Sequence, residues 1–154
     1  MMIKSTLRKL AFLSLCLGLL FAALPAYATT ATGTQNPDLT VFISFEPTCV
    51  KAGETIVKEY RITNNTTKTL VVDWEWKVTL NGQPYYNYPL RPRDNNKIQI
   101  GPGESWGAGP TSSVIYDWEK KGKYEITLSA TNRKSTSRAT ALFEIYETTC
   151  SLGT

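Results

Sequence analysis

Leu70-Val71-Val72-Asp73-Trp74-Glu75-Trp76-Lys77-Val78-Thr79-Leu80 decides the fold. Leu70, Val72, Trp74, Trp76, Val78 and Leu80 fall on one side of an extended backbone, and Val71, Asp73, Glu75, Lys77 and Thr79 on the other. A strand turns successive side chains to opposite faces, so this stretch has one dry face and one wet face. At helical spacing the same apolar groups would scatter around the cylinder. Two large inward indoles need a facing layer to cover them, which predicts a sandwich of two β-sheets.

The same period of two runs outward in both directions. On the N-terminal side, Leu39 to Glu46 places Val41, Ile43 and Phe45 on one side and is stopped by Pro47. Ile56 to Thr63 follows the Lys51-Ala52-Gly53-Glu54 turn and aligns Ile56, Tyr60 and Ile62, with Lys58 in the same row and its stem reaching past the core edge. After the organising strand, Asn81-Gly82 signals a two-residue hairpin, because both central residues must take positive φ. The returning strand is read as Gln83 to Tyr88, an edge because of Pro84. Pro89 to Asn96 reads as a loop, Lys97 to Ile100 as a short strand, Ser105 to Ser113 as irregular, and Val114 to Trp118 as a strand. Lys123 to Thr131 points Tyr124, Ile126, Leu128 and Ala130 inward. Asn132 to Ser137 is a polar loop, and Arg138 to Glu147 aligns Ala139, Ala141, Phe143 and Ile145. No stretch has amphipathic helical spacing. Seven to eight short strands separated by turns predict an all-β, antiparallel Greek-key sandwich.

The first 28 residues read as a secretory signal peptide rather than as fold. Lys4, Arg8 and Lys9 precede an apolar run from Leu10 to Leu24, and Ala26-Tyr27-Ala28 offers small residues where a signal peptidase cuts. An apolar run of about 15 residues is short for a membrane-spanning helix. Residues 29–38 read as a flexible polar lead-in and 39–154 as one domain. Removing 28 of 154 residues leaves 126, with 14 basic against 13 acidic side chains, so the basic balance of the whole chain belongs mostly to the targeting segment and argues for no nucleic-acid partner. The expected location is periplasmic or secreted, with no membrane span once the signal is removed.

Cys49 and Cys150 remain near opposite ends of that domain. An even pair in an exported chain reads as a disulfide, the alternatives being two free thiols or a bond between chains.

Three groups of residues carry a resemblance: Val50-Lys51-Ala52-Gly53-Glu54 with Tyr60-Arg61-Ile62-Thr63-Asn64-Asn65, Ile100-Gly101-Pro102-Gly103-Glu104-Ser105, and Lys121-Gly122-Lys123-Tyr124-Glu125-Ile126. In the order of these turns and strand starts, the chain resembles bacterial immunoglobulin-like domains of cell-surface and exported proteins, both the adhesion-related and the proteinase-inhibitor types. The resemblance implies an Ig-like version of the sandwich and says little of activity. Tyr124 sits where a tyrosine corner is expected, its hydroxyl tied to nearby backbone. In such a topology the far ends of the first and last strands share a pole, which should bring the Cα atoms of Cys49 and Cys150 within about 4.4–6.8 Å.

The inventory for chemistry is thin. The chain contains no histidine, which excludes Ser-His-Asp and Cys-His catalysis and removes the commonest ligand of catalytic zinc. Asp73 and Glu75 share a face, but it is the wet face of a strand, so they read as solvated surface. Gly101-Pro102-Gly103 and Gly107-Ala108-Gly109 lack the strand–loop–helix setting of phosphate loops. The expectation is therefore no catalysis, no metal and no cofactor. Asn64-Asn65-Thr66-Thr67 holds two overlapping glycosylation acceptors, usually idle in bacteria.

A binding surface is the better expectation. The loops Asn64–Lys68, Pro89–Asn96 and Asn132–Ser137 are expected at the pole away from the disulfide. There Arg91, Arg93, Arg133 and Lys134 would join Tyr85, Tyr86 and Tyr88 of the strand leading to it. Trp106 either plugs the sandwich edge or stands as a platform, the plug being preferred. The resulting expectation is a non-catalytic module presenting loops and an edge strand to a protein or cell-surface glycan. The alternative is a proteinase inhibitor acting through a protruding loop, Tyr88–Asn96 with Pro89 and Pro92.

Overall fold

The computed structural model describes residues 29–31, 35–85, 96–133 and 135–152. They form ten strands: β1 (Thr29–Ala31), β2 (Leu39–Glu46), β3 (Cys49–Val50), β4 (Thr55–Asn64), β5 (Leu70–Leu80), β6 (Gln83–Pro84), β7 (Lys97–Ile100), β8 (Ser105–Val114), β9 (Gly122–Asn132) and β10 (Ser135–Ile145). One sheet runs β1-β10-β9-β5-β6, with β3 also on β10 and β7 also on β5; the other runs β2-β4-β8. This is the two-layer, all-β sandwich the alternation requires. The organising strand has the bounds read from the sequence, Leu70–Leu80.

The dry faces meet between the sheets. Val41, Ile43, Phe45, Ile56 and Ile62 of the smaller sheet face Val72, Ile126, Leu128, Ala139, Ala141, Phe143 and Ile145 of the larger, all of them buried. Phe45 stacks on Phe143 across the layers, with ring centroids 4.9 Å apart. Each fully buried Ile or Leu here stabilises the fold by about 1.5–3 kcal/mol relative to an exposed position.

The chain changes layers at Pro47. β2 pairs antiparallel with β4, whereas β3 pairs parallel with β10 through Cys49↔Glu144 and Ile145↔Val50. That parallel pair departs from a purely antiparallel reading. At the hairpin, Asn81 has φ 51° and Gly82 φ 77°, both positive as a two-residue turn demands.

Four details differ from the sequence reading. Ser105 to Ser113 is not irregular: it belongs to β8, paired with β4 on both sides of a register shift between Lys58 and Tyr60. Gly109 and Pro110 fall in that bulge, on an edge strand, where a missing donor does no harm. Val114 to Trp118 is not a strand, since β8 stops at Val114 and a turn closes from Glu119 N–H to the Tyr116 carbonyl (3.0 Å). The Asn132–Ser137 loop shrinks to residues 133–134, because Asn132 already pairs with Ser135. Within the lead-in, β1 lies along β10, and buried Asn36 accepts through its carbonyl from Ser137 Oγ (3.2 Å) and donates its N–H to the same oxygen (2.9 Å). Short polar strands held by a partner have no alternation to betray them, which also explains why ten strands form where seven to eight are legible. The expected strand beyond Tyr85, from Tyr86 to Tyr88, lies outside the described residues.

Candidate functional site

Cys49 and Cys150 form the disulfide, with Cα atoms 5.9 Å apart. It closes the pole where β2 and β10 end and β9 begins. Nearby, Glu144 accepts hydrogen bonds from Ser151 N–H (2.9 Å) and Ser151 Oγ (2.7 Å). Burial works to raise the pKa of this carboxyl, but the Ser151 hydrogen bonds and the Lys123 charge outweigh it and hold it below the usual value.

The structure does not bring together the described members of the expected pole site. Tyr85 N–H bonds to the Val78 carbonyl (2.9 Å), and its half-buried ring meets Tyr124 edge-on at 5.8 Å, with Lys120 Nζ 5.5 Å from its centroid. Tyr85 is thus committed to packing at the disulfide end of β9. Arg133, exposed and at φ 56°, occupies the turn at the other end. Nine residue steps, eight residues of β9 between them, separate Tyr124 from Arg133, roughly 30 Å. Tyr86, Tyr88, Arg91, Arg93 and Lys134 lie outside the described residues. The residues flanking that tyrosine-arginine segment attach along β5, Tyr85 at Val78 and Asn96 at Trp74 (2.9 Å), partway along the strand.

Trp106 is the plug. It is half-buried, 4.7 Å from Trp74 and 5.8 Å from Tyr60. Asp73 and Glu75 are exposed on the outer face, Glu75 3.7 Å from Lys77 Nζ, beside an open depression of about 300 Å³ that Arg138 and Asn96 also line. No group of three or more His, Cys, Asp or Glu among the described residues could hold a metal ion.

The exposed chemistry lies elsewhere, just past β8. Gly53 N–H bonds to the Ile115 carbonyl (2.8 Å) and Ile115 N–H to the Glu54 carbonyl (2.9 Å), which turns Ile115 under the sandwich. Its neighbours must then face out. Tyr116 is 56% and Trp118 70% exposed, and their rings lie 5.6 Å apart at an interplanar angle of 10°. The loop that carries them is held at several points. Glu119 accepts from Tyr116 N–H through its carboxylate (3.2 Å), Tyr124 donates its hydroxyl to the Lys120 carbonyl (2.6 Å), and Lys121 pairs with Glu147. Tyr124 therefore makes the backbone tie expected of it, its buried ring stacked on Phe143 at 4.8 Å.

Sequence reasoning missed this pair, although a signal was present. In Val114-Ile115-Tyr116-Asp117-Trp118 the alternation is right, but three apolar residues outvote Ile115 for the inward side. The bonds to Gly53 and Glu54 reverse that vote.

No family description matches the sequence, and no curated protein matches it. Among solved structures, the chain is similar to an alkylpurine DNA glycosylase from Pseudomonas fluorescens (12% identity, TM-score 0.46), over 71% of this chain and 31% of that one. It thus spans less than a third of the glycosylase's length. It is also similar to a CARDB domain from Pyrococcus furiosus (17% identity, TM-score 0.40; 74% of this chain, 92% of that one). A third similarity is to a FixG-related protein from Vibrio parahaemolyticus (12% identity, TM-score 0.44; 71% of this chain, 98% of that one). At these TM-scores the likeness carries no functional argument.

Proposed function

We propose that this chain is an exported, non-catalytic binding or accessory module that recognises its partner through Tyr116 and Trp118. The observation that carries the reading is an indole left 70% exposed while a second ring lies parallel to it on a tethered loop. Monomeric proteins leave single apolar residues exposed without consequence, but paired rings on a fixed loop supply contact area at little ordering cost. Tyr and Trp are also the residues on which binding energy concentrates. The disulfide supports export, since such bonds persist in oxidising compartments. No described helix is long and apolar enough to cross a membrane.

Co-sedimentation with washed bacterial envelopes tests the reading. The unchanged chain is expected to sediment with them and Trp118→Ala to stay in solution. Equal sedimentation of both would remove these rings from any role in recognition.

A further inference from the structure

We infer that Glu144 guards the Cys49–Cys150 bond against attack by thiols, which makes this disulfide a kinetically closed staple and not a redox switch. The inference is independent of the recognition reading above. It starts from register. Cys49 of β3 is the direct partner of Glu144 on one side of β10, and Lys123 of β9 is its partner on the other. Paired residues send their side chains to the same face of a sheet, so the carboxyl stands over the disulfide. Its Oε2 lies 3.6 Å from Cys150 Sγ. That oxygen is held in place, because Ser151 donates to it from both its N–H (2.9 Å) and its Oγ (2.7 Å). Ser151 follows Cys150 directly, so the backbone that carries one sulfur also fixes the carboxylate beside it. Glu144 is buried, whereas both cysteines are half-buried and within reach of a small thiol.

Exchange begins when a thiolate attacks one sulfur in line with the S–S bond. A new S–S bond forms to the attacker, the old one breaks, and the other cysteine leaves as a thiolate that then takes a proton. A second thiolate releases the mixed disulfide in the same way. During the first attack the negative charge is shared by all three sulfurs. Bonded sulfurs are only about 2 Å apart, so the charge grows within a few ångströms of the carboxylate whichever cysteine is attacked. Two unit charges about 4 Å apart repel enough, even in bulk water, to slow a step about fivefold, and more where water is excluded. Lys123 offsets part of this from the β9 side, while Lys121 and Glu147 of the tail pair with each other.

The test is the rate of reduction at neutral pH by three thiols whose thiolates differ in charge: mercaptoacetate (doubly negative), 2-mercaptoethanol (singly negative) and cysteamine (net neutral). Each is used at the same thiolate concentration, well below the unfolding transition of every variant, and the opened bond is counted by labelling free thiols. Glu144→Gln should speed reduction by 2-mercaptoethanol about fivefold, by mercaptoacetate more and by cysteamine least. Lys123→Gln should slow reduction in the same order of thiols. Glu144→Gln also loosens the tail, but loosening admits all three thiols alike, so the ranking isolates charge from access. An equal gain for all three would overturn the guard in favour of simple opening, and so would unchanged rates. Faster reduction by mercaptoacetate in Lys123→Gln would overturn the assigned electrostatics.

Discussion

Asn64 is fully buried at the end of β4, and its side-chain amide lies 2.8, 3.0 and 2.9 Å from the carbonyls of Lys68, Ile100 and Gly101. Its Oδ1 accepts from Thr66 N–H and Oγ1. One side chain thus ties the β4–β5 loop to the turn after β7. Asn64→Ala would leave the buried Ile100 carbonyl and two partly buried ones short of a donor, so a loss of about 2–3 kcal/mol is expected in urea unfolding. Asn64→Asp, which keeps the acceptor but removes both donors, should lose a comparable amount. A sequence gives little warning of this role, because Asn-Asn-Thr-Thr looks the same whether it is solvated or buried. Glu144 makes a prediction of different sign with pH. Its carboxyl is held below the usual value in the fold, while an unfolded Glu titrates near about 4.3. The stability it contributes is fully present above that unfolded value and is lost as pH falls through the lower folded one. Glu144→Gln should therefore unfold earlier than the parent at pH 7, and the difference should shrink as pH falls below the unfolded value, as parallel denaturation over a pH series will show.

At the scale of elements, β8 depends on Gly107. A Cβ there would stand 2.1 Å from the Tyr60 carbonyl oxygen and 2.9 Å from Arg61 Cα, at φ 154°. Both obstacles are backbone, so the strands would have to part. Gly107→Ala should cost at least about 2 kcal/mol and bring forward amide exchange along β8, whereas Gly109→Ala, with nothing within 4 Å of its Cβ, should cost much less. Comparing the two by denaturation and hydrogen exchange isolates the close approach from glycine content as such. The same segment shows what the sequence could and could not disclose. β5, β9 and the Asn81-Gly82 turn were legible because alternation and turn chemistry act within one strand or one dipeptide. β8 was not, because its glycines and Pro110 are there for a bulge and a close contact, which only the neighbouring β4 explains. β1 was hidden for a related reason: Thr29, Thr30 and Ala31 are a strand only because the β10 edge offers them partners. Of the candidate site, only Tyr85 and Arg133 lie among the described residues. The Tyr85–Arg133 grouping assumed that loops of one pole bring their side chains together, and the packing of Tyr85 on Tyr124 sends it to the other end.

At the scale of the molecule, the disulfide joins positions 101 residues apart, so nearly the whole sandwich lies within one covalent loop. Closing a loop of that length restricts the unfolded chain by about 4–5 kcal/mol in the chain-entropy account. Against a typical total of about 5–15 kcal/mol, that is a large share. The native contacts at the same place are short-range: β3 pairs with β10 at two positions, Glu144 N–H bonds to the Thr48 carbonyl (2.7 Å) and Tyr146 N–H to the Val50 carbonyl (3.1 Å), and Ser151 and the Lys121–Glu147 pair hold the tail. These contacts act only in the folded state and do not restrict the unfolded chain as the covalent link does, so its removal should be felt by the whole domain. Cys49→Ala with Cys150→Ala is expected to lose most of that 4–5 kcal/mol in guanidinium unfolding. The slope of the transition should steepen as well, because an unlinked chain exposes more surface when it opens. A drop in midpoint with no change in slope would place the effect in the native state, as lost packing of β3 against β10, and not in the unfolded chain. The core of Val41, Ile43, Ile126, Leu128 and Phe143 lies between strands that need no such link, so the double variant should still give a β-sheet spectrum at low temperature. A chain unfolded under those conditions would mean that alternation alone does not specify this sandwich.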